Sequence, residues 1–238
     1  MVIRSLFLLV YTFFSSYGIA HSDETHLRVV TEHFPPYQFV KNGEVTSGFA
    51  YEIVKAALAK AQLHAAIEVL PWARAYEVAL KYPNVIIFSI AKTDERAPLF
   101  HWLLELGRLD FHMYSSNNNK LININSMAEA RKYILVAVRG SYEADKLLSL
   151  GFRLDTNLIL VNDFAHAWRM VEKGRADAIY ASHIPPKVKH SSLYGYKQHP
   201  TIYEHRFLHV AASLSTPPST IAKLQRAFSQ VRQAQKNQ

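Results

Sequence analysis

The chain has 238 residues, 49% of them apolar, enough to bury one large core or two modest ones. It carries 27 basic and 19 acidic residues and no cysteine, which excludes disulfides, thiol nucleophiles and a lipidated cysteine. The basic residues are scattered, Lys187-Val-Lys-His190 being the densest cluster, so the stripe that nucleic acid requires is missing and no nucleic-acid partner is expected.

Arg4 supplies a positive n-region, Leu6 to Phe14 an apolar h-region, and Gly18-Ile-Ala20 a small-residue cleavage site. This pattern reads as a cleaved secretory signal over residues 1–20. The apolar run is short for a spanning helix, which needs about 20 residues. Charged residues interrupt every later candidate span. The expectation is an exported protein without a lipid anchor, most simply in a bacterial periplasm.

Arg28-Val-Val-Thr31 reads as the first strand. The loop after it holds Phe34-Pro-Pro-Tyr37 and the hairpin signal Lys41-Asn-Gly-Glu44. That loop follows the carboxyl end of a strand, where open α/β sheets place ligand contacts. A helix from Phe49 to Lys60, a strand over Ala66–Leu70, a helix from Trp72 to Lys81 and a strand over Val85–Ile90 complete one βαβαβ unit. This unit runs into the polar turn Ala91-Lys-Thr-Asp-Glu-Arg96.

The rhythm then repeats: strand Tyr133–Val138, helix Tyr142–Leu150, strand Leu158–Val161, helix Phe164–Lys173 and strand Ala176–Tyr180. Strands alternating with helices of this length imply parallel sheets with right-handed crossovers. Two units imply two lobes, with a ligand groove between them. Asn162 or Asp163 can cap the helix from Phe164, whose apolar stripe is Phe164, Ala167, Trp168 and Val171. Gly174 stands just past its end.

Ser115-Ser-Asn-Asn-Asn-Lys120 marks a boundary near the passage between lobes. Residues 183 to 205, with Pro185, Pro186, Gly195 and Pro200, read as an irregular connection. Phe207–Ala212 then reads as a strand. A final amphipathic helix follows, with Ile221, Leu224, Ala227, Phe228 and Val231 on its apolar face.

Six segments resemble the family 3 extracellular solute-binding proteins, the periplasmic receptors of polar amino-acid ABC transporters. They are Phe34-Pro-Pro-Tyr37, Gly48-Phe-Ala-Tyr-Glu-Ile53, Leu70-Pro-Trp72, Ser89-Ile-Ala-Lys-Thr-Asp-Glu-Arg96, Val138-Arg-Gly-Ser141 and Gly174-Arg-Ala-Asp-Ala178. They occur in the family's order and spacing over about residues 27 to 182, with wording similar to a less characterised branch. The resemblance implies an α/β, two-lobe, type II periplasmic binding protein fold, each lobe an open βαβαβ sheet, joined by two crossing strands. Lobe one is expected over 21–110 and 205–238, and lobe two over 111–204. The implied role is monomeric capture of a small anionic or zwitterionic, amino-acid-like solute. Its implied partner is an inner-membrane ABC permease or, alternatively, a membrane sensor.

By the same resemblance Arg96 takes the ligand carboxylate, a task its planar fork suits. The alternative is a structural pair with Asp94 or Glu95. Backbone N–H groups near Ser89 and Ala91 are placed to share the anion. Gly140-Ser141-Tyr142, opening a helix on lobe two, would complete the site or serve as a plain strand–helix turn. Tyr37, Phe34 and Trp72 offer an aromatic platform or lobe-one core. Glu32 faces the ligand or solvent, and Arg74 points into the cleft or pairs with Glu77. Ser182 stands where the family carries an ammonium-binding aspartate, and a serine there compensates a buried ammonium poorly.

Catalytic signatures are lacking: there is no G-x-S-x-G elbow, H-E-x-x-H helix, Walker loop or G-x-G-x-x-G. His205 and His209, on a predicted strand, lie roughly 13 Å apart, too far for one metal. No enzymatic activity, cofactor or metal is expected.

Overall fold

The computed structural model describes residues 26–182 and 195–236. The expected secretory signal and the basic cluster at 187–190 lie outside the described residues. In chain order the elements begin with β1 (Arg28–Thr31), the hairpin β2 (Phe39–Lys41) and β3 (Glu44–Ser47), α1 (Phe49–Ala61), β4 (Ile67–Val69), α2 (Trp72–Lys81) and β5 (Val85–Ala91). A 3-10 turn over Ala97–Leu99 leads to the long β6 (Phe100–Ser116). Then come α3 (Met127–Ala130), β7 (Leu135–Val138), α4 (Tyr142–Ser149), β8 (Leu158–Val161), α5 (Phe164–Glu172), β9 (Ala178–Ala181), β10 (Tyr196–Ser213) and α6 (Pro218–Lys236).

One eight-stranded sheet runs through the molecule in the order β4-β1-β5-β10-β6-β9-β7-β8. Its two ends are parallel: β1 pairs with β4 and β5, and β7 pairs with β8 and β9. These are the two βαβαβ units read from the periodicity. Its centre is antiparallel, where β10 pairs with β5 and β6, and β6 with β9.

Alternation along the strands sends side chains to two cores. Val29, Ile86 and Phe88 join α1, α4 and α6 on one face, while Val30, Ile87 and Val136 join α2 and α5 on the other. β5 is buried along its whole length because both of its faces are covered.

Local chemistry sets the element ends. Asn42 and Gly43 both take positive φ, the geometry of a two-residue hairpin turn. Asp163 caps α5, accepting the His166 N–H at 2.7 Å. Ile221, Leu224, Ala227, Phe228 and Val231 are all buried, and α6 packs along α1.

The expectation of an irregular connection through residue 205 is corrected. Tyr196 to His205 belong to β10, paired with β6 along Asp110–Ser116. Pro200, which signalled a break, sits where the register shifts between His199 and Tyr203, so its missing N–H removes no ladder bond. Ser115 and Ser116 end β6, and the rest of the polar stretch to Lys120 follows it.

Candidate functional site

The parallel strands of both units aim their carboxyl ends at the centre of the molecule, as open α/β sheets do around a ligand. Glu32 follows β1, and Ser89 to Ala91 end β5. Gly140 and Ser141 link β7 to α4, and Asp163 links β8 to α5. A cavity of about 30 Å³ lies among these ends, lined by Glu32, Trp72, Ser89, Ala91, Arg96, Ser141, Tyr142 and Glu143. Phe34, Leu109, Phe111, Phe164 and Leu208 close its apolar side. Arg96 and Tyr142 also belong to the wall of a neighbouring groove of about 750 Å³.

Gly140 is one of the points where the two units meet. Its φ is +70°, and a Cβ built on it would lie 3.6 Å from the Ala73 backbone. Its carbonyl accepts from Trp72 Nε1 at 2.7 Å and from Arg96 Nη2 at 3.1 Å. Ser141 is the N-cap of α4, its hydroxyl accepting from the Ala144 N–H at 3.2 Å.

Arg96 is 3% exposed. Its Nη2 pairs with Asp145 Oδ2 at 2.7 Å, and its guanidinium lies over the Tyr76 ring at 4.9 Å. Neither Asp94 nor Glu95 is the ion-pair partner, because the turn directs the guanidinium toward α4 instead. Its Nη1 is buried and has no hydrogen-bond partner among the described residues. A guanidinium N–H in that state calls for an acceptor.

Two carboxyl groups share the cavity. Glu32 is 9% exposed and Glu143 4%. Among the described residues neither forms an ion pair. Burial, with Glu143 and Asp163 nearby, holds Glu32 well above the usual carboxylate range. Burial likewise pushes Glu143 up to about 7, although hydrogen bonds from its own backbone and Ser141 work the other way.

Ser89 is a bulge residue with φ +63°, skipped between Phe88 and Ile90 in the pairing with β10. Its hydroxyl donates to Gln38 Oε1 at 2.7 Å, and Gln38 Nε2 donates to Thr31 Oγ1 at 2.9 Å. This buried chain fixes the start of the first loop against β5.

The remaining expected residues fall elsewhere. Tyr37 is half-buried, stacks on Phe34 and reaches the Arg108 carbonyl at 3.4 Å; it does not line the cavity. Burial raises its pKa, with Asp110 adding to the effect. Arg74 does not enter the cleft: it is surface-exposed and pairs with Glu77 at 2.9 Å, one turn further along α2. Ser182 follows β9, half-buried, and is not a wall of the cavity.

Glu143, Gln38, Thr31 and Asp145 were not singled out from the sequence. An acid in a helix's first turn, such as Glu143, is ordinarily a solvated group favoured by the helix dipole. Gln38, directly after the Phe34–Tyr37 motif, carried the best available signal.

Behind α4, Glu204 on β10 gathers Tyr180, Lys146 and Arg206, with Tyr180 Oη donating at 3.0 Å. Burial opposes ionisation of Glu204, but the Tyr180 hydrogen bond and the charges of Arg206 and Lys146 help to outweigh it, and its pKa is lowered.

No family model matches the chain, and no curated protein matches it. Solved structures do. A histidine kinase sensor domain with similarity to periplasmic binding proteins superposes with a TM-score of 0.75 at 13% identity, covering 89% of this chain and 92% of its own. The arginine-, lysine-, histidine-binding protein ArtJ of Geobacillus stearothermophilus gives 0.74 at 14% identity, over 89% and 91%. An ancestral arginine-binding protein bound to glutamine gives 0.71 at 18%, over 87% and 92%. With two parallel units, two crossing strands and a cleft between them, the chain has the two-lobe fold of the periplasmic binding proteins.

Proposed function

We propose that the protein is an exported binding protein that captures a small zwitterionic, amino-acid-like solute between its lobes and delivers it to an inner-membrane ABC permease. Residues 21–110 and 205–238 make the lobe that carries Arg96, and 111–204 the lobe that carries Ser141 and Glu143. The observation that carries this reading is Arg96: a buried guanidinium at the cleft with one N–H unmatched. That donor suits a carboxylate oxygen. The carboxyls of Glu32 and Glu143 favour a zwitterion over a plain anion, because a dicarboxylate would meet like charge there. The solved structures named for arginine, lysine, histidine or glutamine binding support a solute of this class. Capture itself needs only that the solute bind the closed arrangement better than the open one.

The test is a thermal-shift panel of amino acids, dicarboxylates, short peptides, polyamines and sugars, run on the purified protein and on Arg96→Ala. A solute at a hundred times its dissociation constant adds about 2.7 kcal/mol of stability. A shift with an amino-acid-like compound that is lost in Arg96→Ala supports the reading, while a flat response across the panel sinks it.

Similarity to the kinase sensor domain favours a second use of the same pocket, in which the closed form is presented to a membrane signalling partner. A strain lacking the protein distinguishes them. Lost uptake of the solute points to delivery, and intact uptake with a lost transcriptional response points to sensing.

A further inference from the structure

The cleft holds two buried carboxyl groups that Arg96 does not pair with. Glu32 comes from the loop after β1, and Glu143 from the first turn of α4, so the two carboxyls belong to opposite sides. Both line the same cavity and both are at least nine-tenths buried. The charged groups around them are few. Arg96 pairs with the half-exposed Asp145, and its charge also favours ionised Glu143. Asp145 and Asp163 add negative charge, and Tyr142, Ser141, Trp72, Ser89 and the phenylalanines carry none.

Two carboxylates in such a place cannot both ionise without a cation. About 30 Å³ accommodates a group of ammonium size and little more. Beside it stands the unmatched Arg96 Nη1, so the carboxylate and cation contacts fall within one small molecule's span.

We infer that Glu32 and Glu143 form the cation-binding end of the cleft, and that a solute's ammonium group enters there by displacing a proton held on one of the two carboxyls. This rests on the solute-binding reading above and names the charge and linkage of that site. The step balances: one carboxylic O–H proton goes to solvent, and the carboxylate it leaves pairs with the incoming cation. Burial raises the affinity of both carboxyls for that proton. Glu143 thereby supplies, from α4, the negative charge that Ser182 does not.

The experiment is calorimetry of the purified protein with L-arginine, L-lysine, L-glutamine, L-glutamate and putrescine at pH 6, 7 and 8. Each titration is run in two buffers of different ionisation heat, beside Glu143→Gln and Glu32→Gln. A neutral glutamine is close in shape to a protonated glutamate, so both variants should fold, which circular dichroism checks. The expected result is proton release with a cationic amino acid that approaches one proton at pH 6, and affinity falling by up to about tenfold per pH unit below about 7. Both effects should shrink in either variant.

Binding of putrescine with proton release would uphold the cation site while overturning the amino-acid-like solute. Binding of any of these solutes with no proton released, and with the same pH dependence in Glu143→Gln, would overturn the inference and leave solute capture standing. A silent panel would overturn both.

Discussion

His199 is buried on β10, with each ring nitrogen assigned by its neighbour. The Ile124 N–H donates to Nδ1 at 3.2 Å, so the proton sits on Nε2 and faces Ser115 Oγ at 2.9 Å. Burial, with Lys197 nearby, lowers its pKa below the ordinary value. The unfolded chain therefore takes up this proton at higher pH than the folded one. The contribution is whole above about pH 6.5 and is lost as pH falls through the folded value, at about 1.4 kcal/mol per unit within that window. Urea melts of the protein and His199→Gln at pH 7.5, 6.5 and 5.5 should converge as pH falls. Parallel curves would rule the mechanism out. Glu143 has the opposite sign: its raised pKa contributes stability below about 4.5 that is lost as pH rises through about 7. Comparing variant with parent at each pH separates the two. At this scale the sequence was only partly legible. Arg96 stood out because its turn motif is local, but its partner Asp145 is 49 residues away. Glu143 looked like any first-turn acid, and the cavity that it lines is shared with Glu32 and Trp72, far away in the chain. Arg74 had its answer nearby, since Glu77 lies at the helical i+3 spacing.

Elements were legible wherever periodicity is local. The α6 stripe from Ile221 to Val231 was read from spacing alone, and all five of its side chains are buried. Phe228 is wholly buried in the core that α1 and α6 share, so Phe228→Ala should cost about 3–5 kcal/mol. The denaturant midpoint should fall with its slope unchanged. A loss under 1 kcal/mol would mean that α6 contributes little to the fold. The strands β6 and β10 were harder to read. Glu105, Arg108 and Asp110 interrupt β6, and Pro200 interrupts β10, so neither shows a sustained alternation. Their order comes from pairing with each other, which is set by contacts about a hundred residues apart.

Across the whole molecule, a handful of contacts joins the two units over the cleft. Trp72 Nε1 and Arg96 Nη2 share the Gly140 carbonyl, and Arg96 pairs with Asp145. Trp72→Phe keeps an aromatic side chain, though a smaller one, and removes one hydrogen bond, worth about 1 kcal/mol net. That shifts the balance roughly fivefold toward the open arrangement. The chain has no cysteine, so two introduced on α1 and α5 would take fluorescent labels cleanly. Single-molecule energy transfer should show the low-transfer population rising in Trp72→Phe. An unchanged distribution would mean that this bond does not hold the cleft closed. The two-unit plan was visible in the repeated rhythm of strands and helices. The continuity of one sheet through both units was not, because it depends on β6 and β10.

That continuity has a consequence for how strong the cleft needs to be. β6 and β10 act as a double tether, so the facing surfaces meet as parts of one molecule rather than as free partners. Their encounter proceeds at an effective concentration set by the tether, on a scale where contacts too feeble to hold separate proteins together still engage. One ion pair and two hydrogen bonds can then serve as a latch, and a solute of modest affinity has enough leverage to work it.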